Sequence, residues 1–325
     1  MEEFLYSNIK EIIPDLKEIN TLLTEIKKTT DALSKSDLDT LASEAFHTAG
    51  RYGKKAADYL SAYKEAAYDG FPDAGGIAEL SLAAQSAGNI TAELAGQFIN
   101  ATDKAFRLGG SVSRLKEILD GASAISSHNA INMTDLAEGM SLAGEYAAAL
   151  GLGADEAAAA LASIISATGQ DGSEAAQTLK SILLNIQQIT DAEPGNLLNA
   201  DLLGSLDSPQ GSDALNGFLG NYSMYESMLQ DYAKGAGSMA AQAEISASSW
   251  EGAMNRLSNT WTDTVGNVAN PNAMLTIINS LNGILSVVNK LTKELGSLGT
   301  VGLGAGLLAS FKNVGRDKTY SLFWS

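Results

Sequence analysis

A chain of 325 residues that is 45% hydrophobic but only 6% aromatic, with 32 Gly and five Pro, must build its interior from small side chains. Small side chains bury little area each, and buried apolar area is what offsets chain entropy, so closely packed helices suit this composition better than one thick core. A net charge of −17 argues against adhesion to a phosphate backbone, and the absence of Cys excludes a disulfide frame and thiolate zinc sites.

The opening Met1-Glu2-Glu3-Phe4 is acidic and lacks the basic region of a signal peptide, so synthesis in the cytoplasm without export is expected. The first segment, 1–35, carries a seven-residue rhythm. Leu5, Ile9, Ile12, Leu16, Ile19, Leu23 and Ile26 alternate spacings of four and three, the pattern of a coiled-coil seam. Pro14 falls inside it, so the helix kinks or a second one starts there. The seam serves either self-association or packing on the body of the same chain.

Segment 36–190 reads as a helical core. A helix is predicted over 36–68, with Ser36 and Asp39 as an approximate capping pair and Tyr52, Tyr59, Tyr63 and Tyr68 along it. Phe71-Pro72-Asp73-Ala74-Gly75-Gly76 ends it, since Pro and paired Gly are strong breakers. Six further helices follow near 77–88, 90–107, 111–127, 133–150, 154–168 and 173–189. Their breaks fall at Gly88-Asn89, Gly109-Gly110, His128-Asn129, 151–153 and 169–172. Asp171 and Glu174 stand in capping-box spacing, with Ser173 as a second candidate. Ala157, Leu161, Ile164 and Thr168 line one face of the fifth of these helices; Ala176, Leu179, Leu183 and Ile186 line one face of the sixth. No strand-like alternation of useful length occurs. The fold class is all-α: short Ala/Gly-rich amphipathic helices with longer coiled-coil-like helices at both ends.

Segment 191–245 reads as a turn-rich helical connector, marked by Glu193-Pro194-Gly195 and Asp207-Ser208-Pro209-Gln210-Gly211. Segment 246–325 holds amphipathic and apolar Gly-rich helices. Ser248 and Glu251 form a capping box, and Trp250, Met254, Leu257, Trp261, Val265 and Val268 make a packing stripe. Asn270-Pro271-Asn272 stops it. A second heptad run follows at Ile277, Leu281, Ile284, Val288, Leu291 and Leu295. Residues 295–311 carry no charge and approach the lower length of a bilayer span, about 17–25 residues, but contain five Gly. Transient contact with a host membrane is one reading of 264–311; packing on other helices is the other.

Chemistry is sparse. His47 and His128 stand alone, as surface or helix-end residues, and no nucleophile elbow or Walker loop appears. Gly304-Ala305-Gly306 mimics a dinucleotide fingerprint without the strand that gives it meaning. No catalytic residue, cofactor or metal site is expected, and the chain is read as no enzyme.

The run Leu150-Gly151-Leu152-Gly153-Ala154-Asp155-Glu156-Ala157, continued by Gly169, Gly172, Ser173, Glu174, Ala175 and Leu179, resembles the core region of phage tail tape-measure proteins. The likeness extends over roughly 75–312. It includes the helical lead-in 101–140 and the helix that starts at Ser248-Ser249-Trp250. Chains of that family are usually much longer, and Lys180 stands where they often carry Arg. The resemblance implies a template that sets tail-tube length and assists DNA ejection. It also implies partners: sister copies in a homo-oligomer, the tail tube protein, tail assembly chaperones and tail-tip proteins. Direct nucleic-acid binding is not expected. The location implied is host cytoplasm during assembly, then the tail lumen of the virion. The alternative is a helical secreted protein of a specialised secretion system, suggested by the W-x-G at Trp250-Glu251-Gly252.

Overall fold

From Lys35 to Ile189, short connections built on Gly and capping side chains divide the chain into helices. The computed structural model describes residues 2–30, 33–189, 197–198 and 213–267; within them lie thirteen helices and no strand. Residues 1–263 form one compact unit and 264–325 a second, of which only the last turn of one helix is described. Ile277, Leu281, Ile284, Val288 and the apolar 295–311 segment therefore lie outside the described residues.

Helix α1 (Glu2–Thr29) runs through Pro14 as a single element. Where its side chains are described, Ile19, Leu22 and Ile26 are buried against α2 (Lys35–Tyr52) and α3 (Ala56–Tyr68). Of the heptad seam, Ile19 and Ile26 thus pack within their own chain and Leu23 is half-buried beside them, with Leu22 joining from outside the seam; Leu5, Ile9, Ile12 and Leu16 lie outside the described side chains.

The single helix expected over 36–68 is two. Gly53 ends α2 with φ 64°, a left-handed conformation that a Cβ disfavours, and the chain turns there. The cap also moves two residues earlier. The Ser34 hydroxyl accepts from the Asp37 amide at 3.2 Å, and the Asp37 carboxylate accepts from the Ser34 amide at 2.8 Å, a reciprocal capping box. Those bonds to the ionised form hold the Asp37 carboxyl below its usual range.

Helix α4 (Ala74–Gly88) is a wall shared by two cores. Its Ala78 and Leu82 face the smaller core of α1–α3, with Leu41 and Leu60. Its Ile77, Leu80 and Ala84 face the larger one. That core is closed by α5 (Ala92–Ala105), α6 (Val112–Asn129), α7 (Met133–Ala149), α8 (Ala154–Thr168), α9 (Gly172–Ile189), α10 (Asp213–Gly220), α11 (Tyr222–Ala233) and α12 (Ser238–Ala247). Phe98, Leu115, Leu119, Ile125, Leu136 and Met140 are fully buried in it. Helix α7 lies between α5 and α9, while α8 meets α6, α7, α9 and α11.

The apolar face expected on α8 is a correction in kind. Every residue from Ala157 to Ile165 is buried, and Thr168 is exposed. A helix lined by methyl groups on all sides accepts neighbours on all sides, so it sits inside the bundle rather than on its surface. On α9 the expected Ala176, Leu179, Leu183 and Ile186 are all buried, joined by Ala175 and Ile182.

Helix α12 returns to α4 and α6, far back in the chain. A Cβ on Gly121 would stand 2.6 Å from the Tyr232 ring, and one on Gly235 2.7 Å from Gly121 Cα, so the α11–α12 turn seats directly on α6. The Asp120 carboxylate then reaches the start of α12, accepting from Gly237 N at 3.0 Å and Met239 N at 3.1 Å. Helix α13 (Trp250–Asn267) follows. Its cap is Ser249, whose hydroxyl accepts from Gly252 N at 3.2 Å; the pairing of Ser248 with Glu251 is not the one formed.

Candidate functional site

The residues singled out between 150 and 179 come together as the two junctions of α7–α8–α9. The first junction is a complete Schellman turn. Gly151 takes φ 84°, its N–H donates to Ala148 O at 3.0 Å, and the Leu152 N–H donates to Ala147 O at 3.0 Å. Leu150 and Leu152 are both buried beside it. The turn thus satisfies carbonyls that the helix end leaves free, and it anchors the corner in the core.

Gly153 then opens α8, and its N–H donates to Glu156 Oε2 at 2.9 Å. Glu156 is half-buried and Asp155 exposed. Burial raises the Glu156 carboxyl above its usual range, partly opposed by the Gly153 bond, with Asp155 adding to the rise. Helix α11, together with Phe218 of α10, presents an aromatic cluster at this corner. Phe218, Tyr222 and Tyr225 have ring centroids 5.4–6.3 Å apart, and the Tyr222 hydroxyl donates to Leu198 O at 3.0 Å. Burial, then the Glu156 carboxylate, drives the Tyr225 phenol well above its usual range.

At the second junction Gly169 closes α8, and its N–H donates to Ile165 O at 2.8 Å. Asp171 caps α9 by accepting from Glu174 N at 2.8 Å. Ser173 lies inside the helix, half-buried, and Glu174 is exposed. Gly172 is needed for space: a Cβ there would stand 2.1 Å from Asp135 O, on the neighbouring helix α7. Ala175 and Leu179 continue that contact, both fully buried. One turn on, Lys180 places its ammonium 5.2 Å from the centre of the Tyr146 ring, a cation–π contact between α9 and α7.

The stripe expected on α13 divides. Trp250 is 49% exposed and Met254 41%, while Leu257 is half-buried; the side chain of Trp261 lies outside the description. What α13 buries instead is Gly252, Ala253, Asn259 and Thr262. Asn255, Asn259 and Asp120 fall within the stretches that carry the family likeness, but the sequence assigns none of them a partner or a role. Tyr222 and Tyr225 of α11 and Phe218 of α10 do carry a signal, an aromatic spacing of four and three that continues across the break at Asn221.

A groove of about 490 Å³ is edged by Glu65, Tyr68, Phe71, Glu93, Gln97 and Asn100. His47 is exposed on α2, and His128 sits in the last turn of α6 with Nδ1 3.4 Å from Asp231 Oδ1. Among the described residues, no group of His, Cys, Asp and Glu could hold a metal ion, and no helix is long and apolar enough to cross a membrane. The arrangement at the motif is mechanical: it fixes where helices stop, turn and touch.

Neither the curated proteins nor the solved structures compared with this chain give a match. A family described as phage-related minor tail protein matches residues 42–211, from the middle of α2 through α9 and beyond it. The matched stretch contains both motif junctions and exceeds half of the 325 residues, and the chain therefore belongs to the phage-related minor tail protein family.

Proposed function

We propose that this tail protein is a tape measure: a template that sets the length of the tail tube during assembly and assists DNA ejection. The observation that carries the reading is the α7–α8–α9 section. The residues on which the likeness to the tape-measure core rests, Leu150 to Leu179, lie inside the stretch matched by the tail family.

The physical logic is that of a ruler made of helix. Helices joined at short Gly turns can be re-laid end to end without refolding each one. At about 1.5 Å per residue the chain, if wholly helical, spans at most roughly 490 Å. Tube rings add around such a template until its end is reached. Its partners in this reading are sister copies, the tail tube protein, tail assembly chaperones and tail-tip proteins. A net charge of −17 suits a molecule that DNA must pass without adhering, so no direct nucleic-acid contact is assigned. No catalytic step and no cofactor enter. The protein works in the host cytoplasm during assembly and then in the tail lumen. Transient membrane contact is assigned to the apolar 264–311 region, nearly all of it outside the described residues. Membership of a tail family favours this reading over the secretion one, whose W-x-G at 250–252 lies outside the matched stretch.

The test is tail length by electron microscopy in phage carrying an in-frame deletion of 221–268. The ruler reading expects tails shorter by roughly 70 Å, the helical length removed. Tails of unchanged length with lost infectivity would refute it for this segment and assign the region to tip assembly or DNA delivery.

A further inference from the structure

We infer that α13 is a detachable strap, which lifts off the α2–α3 elbow as a unit about Ser248–Ser249 while α12 stays in place. The two neighbouring helices are held by different means. Helix α12 is anchored: Asp120 caps its first turn, Met239, Ala243 and Ala247 are buried, and Ala243 O lies 3.2 Å from the Ser86 hydroxyl of α4.

At the elbow, helix α13 is held by polar side chains reaching backbone. Asn255 Nδ2 donates to Gly53 O at 2.8 Å, and Asn259 Nδ2 donates to Lys54 O at 2.6 Å. The Asn259 side-chain oxygen accepts from Ala56 N at 3.0 Å, so an asparagine 203 residues away caps α3. The Ser258 hydroxyl donates to Asp15 at 3.2 Å, and the Arg256 guanidinium donates to Ala247 O across the hinge. Two glycines make the fit, since a Cβ on Gly53 would stand 2.7 Å from Gly252 Cα.

Among the described side chains of α13, the apolar ones contribute little to this contact. Ala253 is buried, Leu257 is half-buried, and Trp250 and Met254 are exposed while the strap is docked. At the elbow itself the described face of α13 is Gly252, Ala253, Asn255 and Asn259, so lifting it there breaks mainly polar contacts. It returns Gly53 O, Lys54 O and Ala56 N to water, which can satisfy them. Separating α7 from α9 would instead uncover buried Leu179, Ile182 and Ile186. Elements with few buried apolar contacts open at free energies well below that of the whole unit. The strap belongs to the 1–263 unit and holds whether or not the chain sets tail length.

Hydrogen exchange on the full chain tests this. The amides of 253–263 are expected to exchange at least about tenfold faster than those of α7–α9. The N255A/N259A variant is expected to speed α13 and the first turn of α3 by a further tenfold or so, with α7–α9 unchanged. Because the chain has no Cys, D15C/S258C gives one defined disulfide; once oxidised, it should slow α13 to the level of α7–α9, and reduction should reverse this. Three results would overturn the strap. One is α13 as protected as α7–α9 in the unmodified chain. Another is N255A/N259A speeding all helices by one factor or failing to fold, which would make α13 part of the global unit. The third is a formed disulfide that leaves α13 exchange as it was.

Discussion

Asp120 is the buried charge on which the return of the chain depends, and replacing it gives a measurable test of the α6–α12 junction. The residue is 3% exposed, and its two oxygens accept from Gly237 N, Met239 N and the Lys116 ammonium, the last at 2.5 Å. Gly237, the cap residue of α12, sits at φ 83° and has no side chain to offer, so the cap must come from another helix. Asp120→Ala removes two charge-assisted bonds and strands a buried Met239 N–H, each worth about 1–3 kcal/mol. Lys116 is nearly half-exposed and rehydrates, which limits the loss from the ion pair. The expected cost is about 3 kcal/mol. Asp120→Asn keeps one acceptor for Met239 but turns an N–H toward Gly237 N or Lys116, and should cost about 1–2 kcal/mol. Urea unfolding followed by helical circular dichroism reads both as lower midpoints with unchanged slope. Exposed Glu117→Ala on the same helix is the control and should stay within about 0.5 kcal/mol. Asp120→Ala within that same range of the parent would refute the assigned role, as would Asp120→Asn matching Asp120→Ala.

Gly172→Ala drives a methyl into the Asp135 carbonyl, a rigid backbone group, and should cost about 3 kcal/mol or more in the same urea assay. Gly169→Ala meets nothing within 4 Å and should cost only the strain of φ 71°, about 1–2 kcal/mol; equal losses at the two sites would deny the α7–α9 close approach. Alkaline titration probes the tyrosines. Burial raises both Tyr52 and Tyr59 to about 12, with Glu79 adding to the rise at Tyr52 and Glu44 at Tyr59. Since these folded values exceed the unfolded value of 10, the stability linked to their neutral form is complete below pH 10. It is lost as pH rises from 10 toward 12. Phenolate absorbance should therefore show these groups titrating late, or releasing together with loss of helix. Full ionisation near pH 10 with helicity intact would contradict the burial.

Much of this fold could be read locally. The helices from 77 to 189 were legible because their limits are written in adjacent residues: a Schellman Gly at 151, a closing Gly at 169, a capping Asp at 171. What escaped was written elsewhere in the chain. The tyrosine spacing carried a helical rhythm across Gly53 and hid the elbow. On α13 the spacing of Trp250, Met254 and Leu257 marks a packing stripe but does not tell which face meets its own chain; Gly252 and two asparagines bring the other face to the elbow. The contacts of Asn259 and Asp120 span more than a hundred residues, and no periodicity within a helix encodes such a partner.

The 203-residue reach of Asn259 also sets a timetable for the newborn chain. Helices α2 to α9 also pack on one another within a short stretch of chain, so those contacts can form as they leave the ribosome. The elbow at Gly53–Ala56 cannot. At about 5–20 residues per second, roughly 10–40 s pass before the residue that finishes α3 exists. Throughout that interval the first helices of a tail protein stand complete in themselves and unfastened at one corner, and the last helix of the unit to be made is the one that ties down the first.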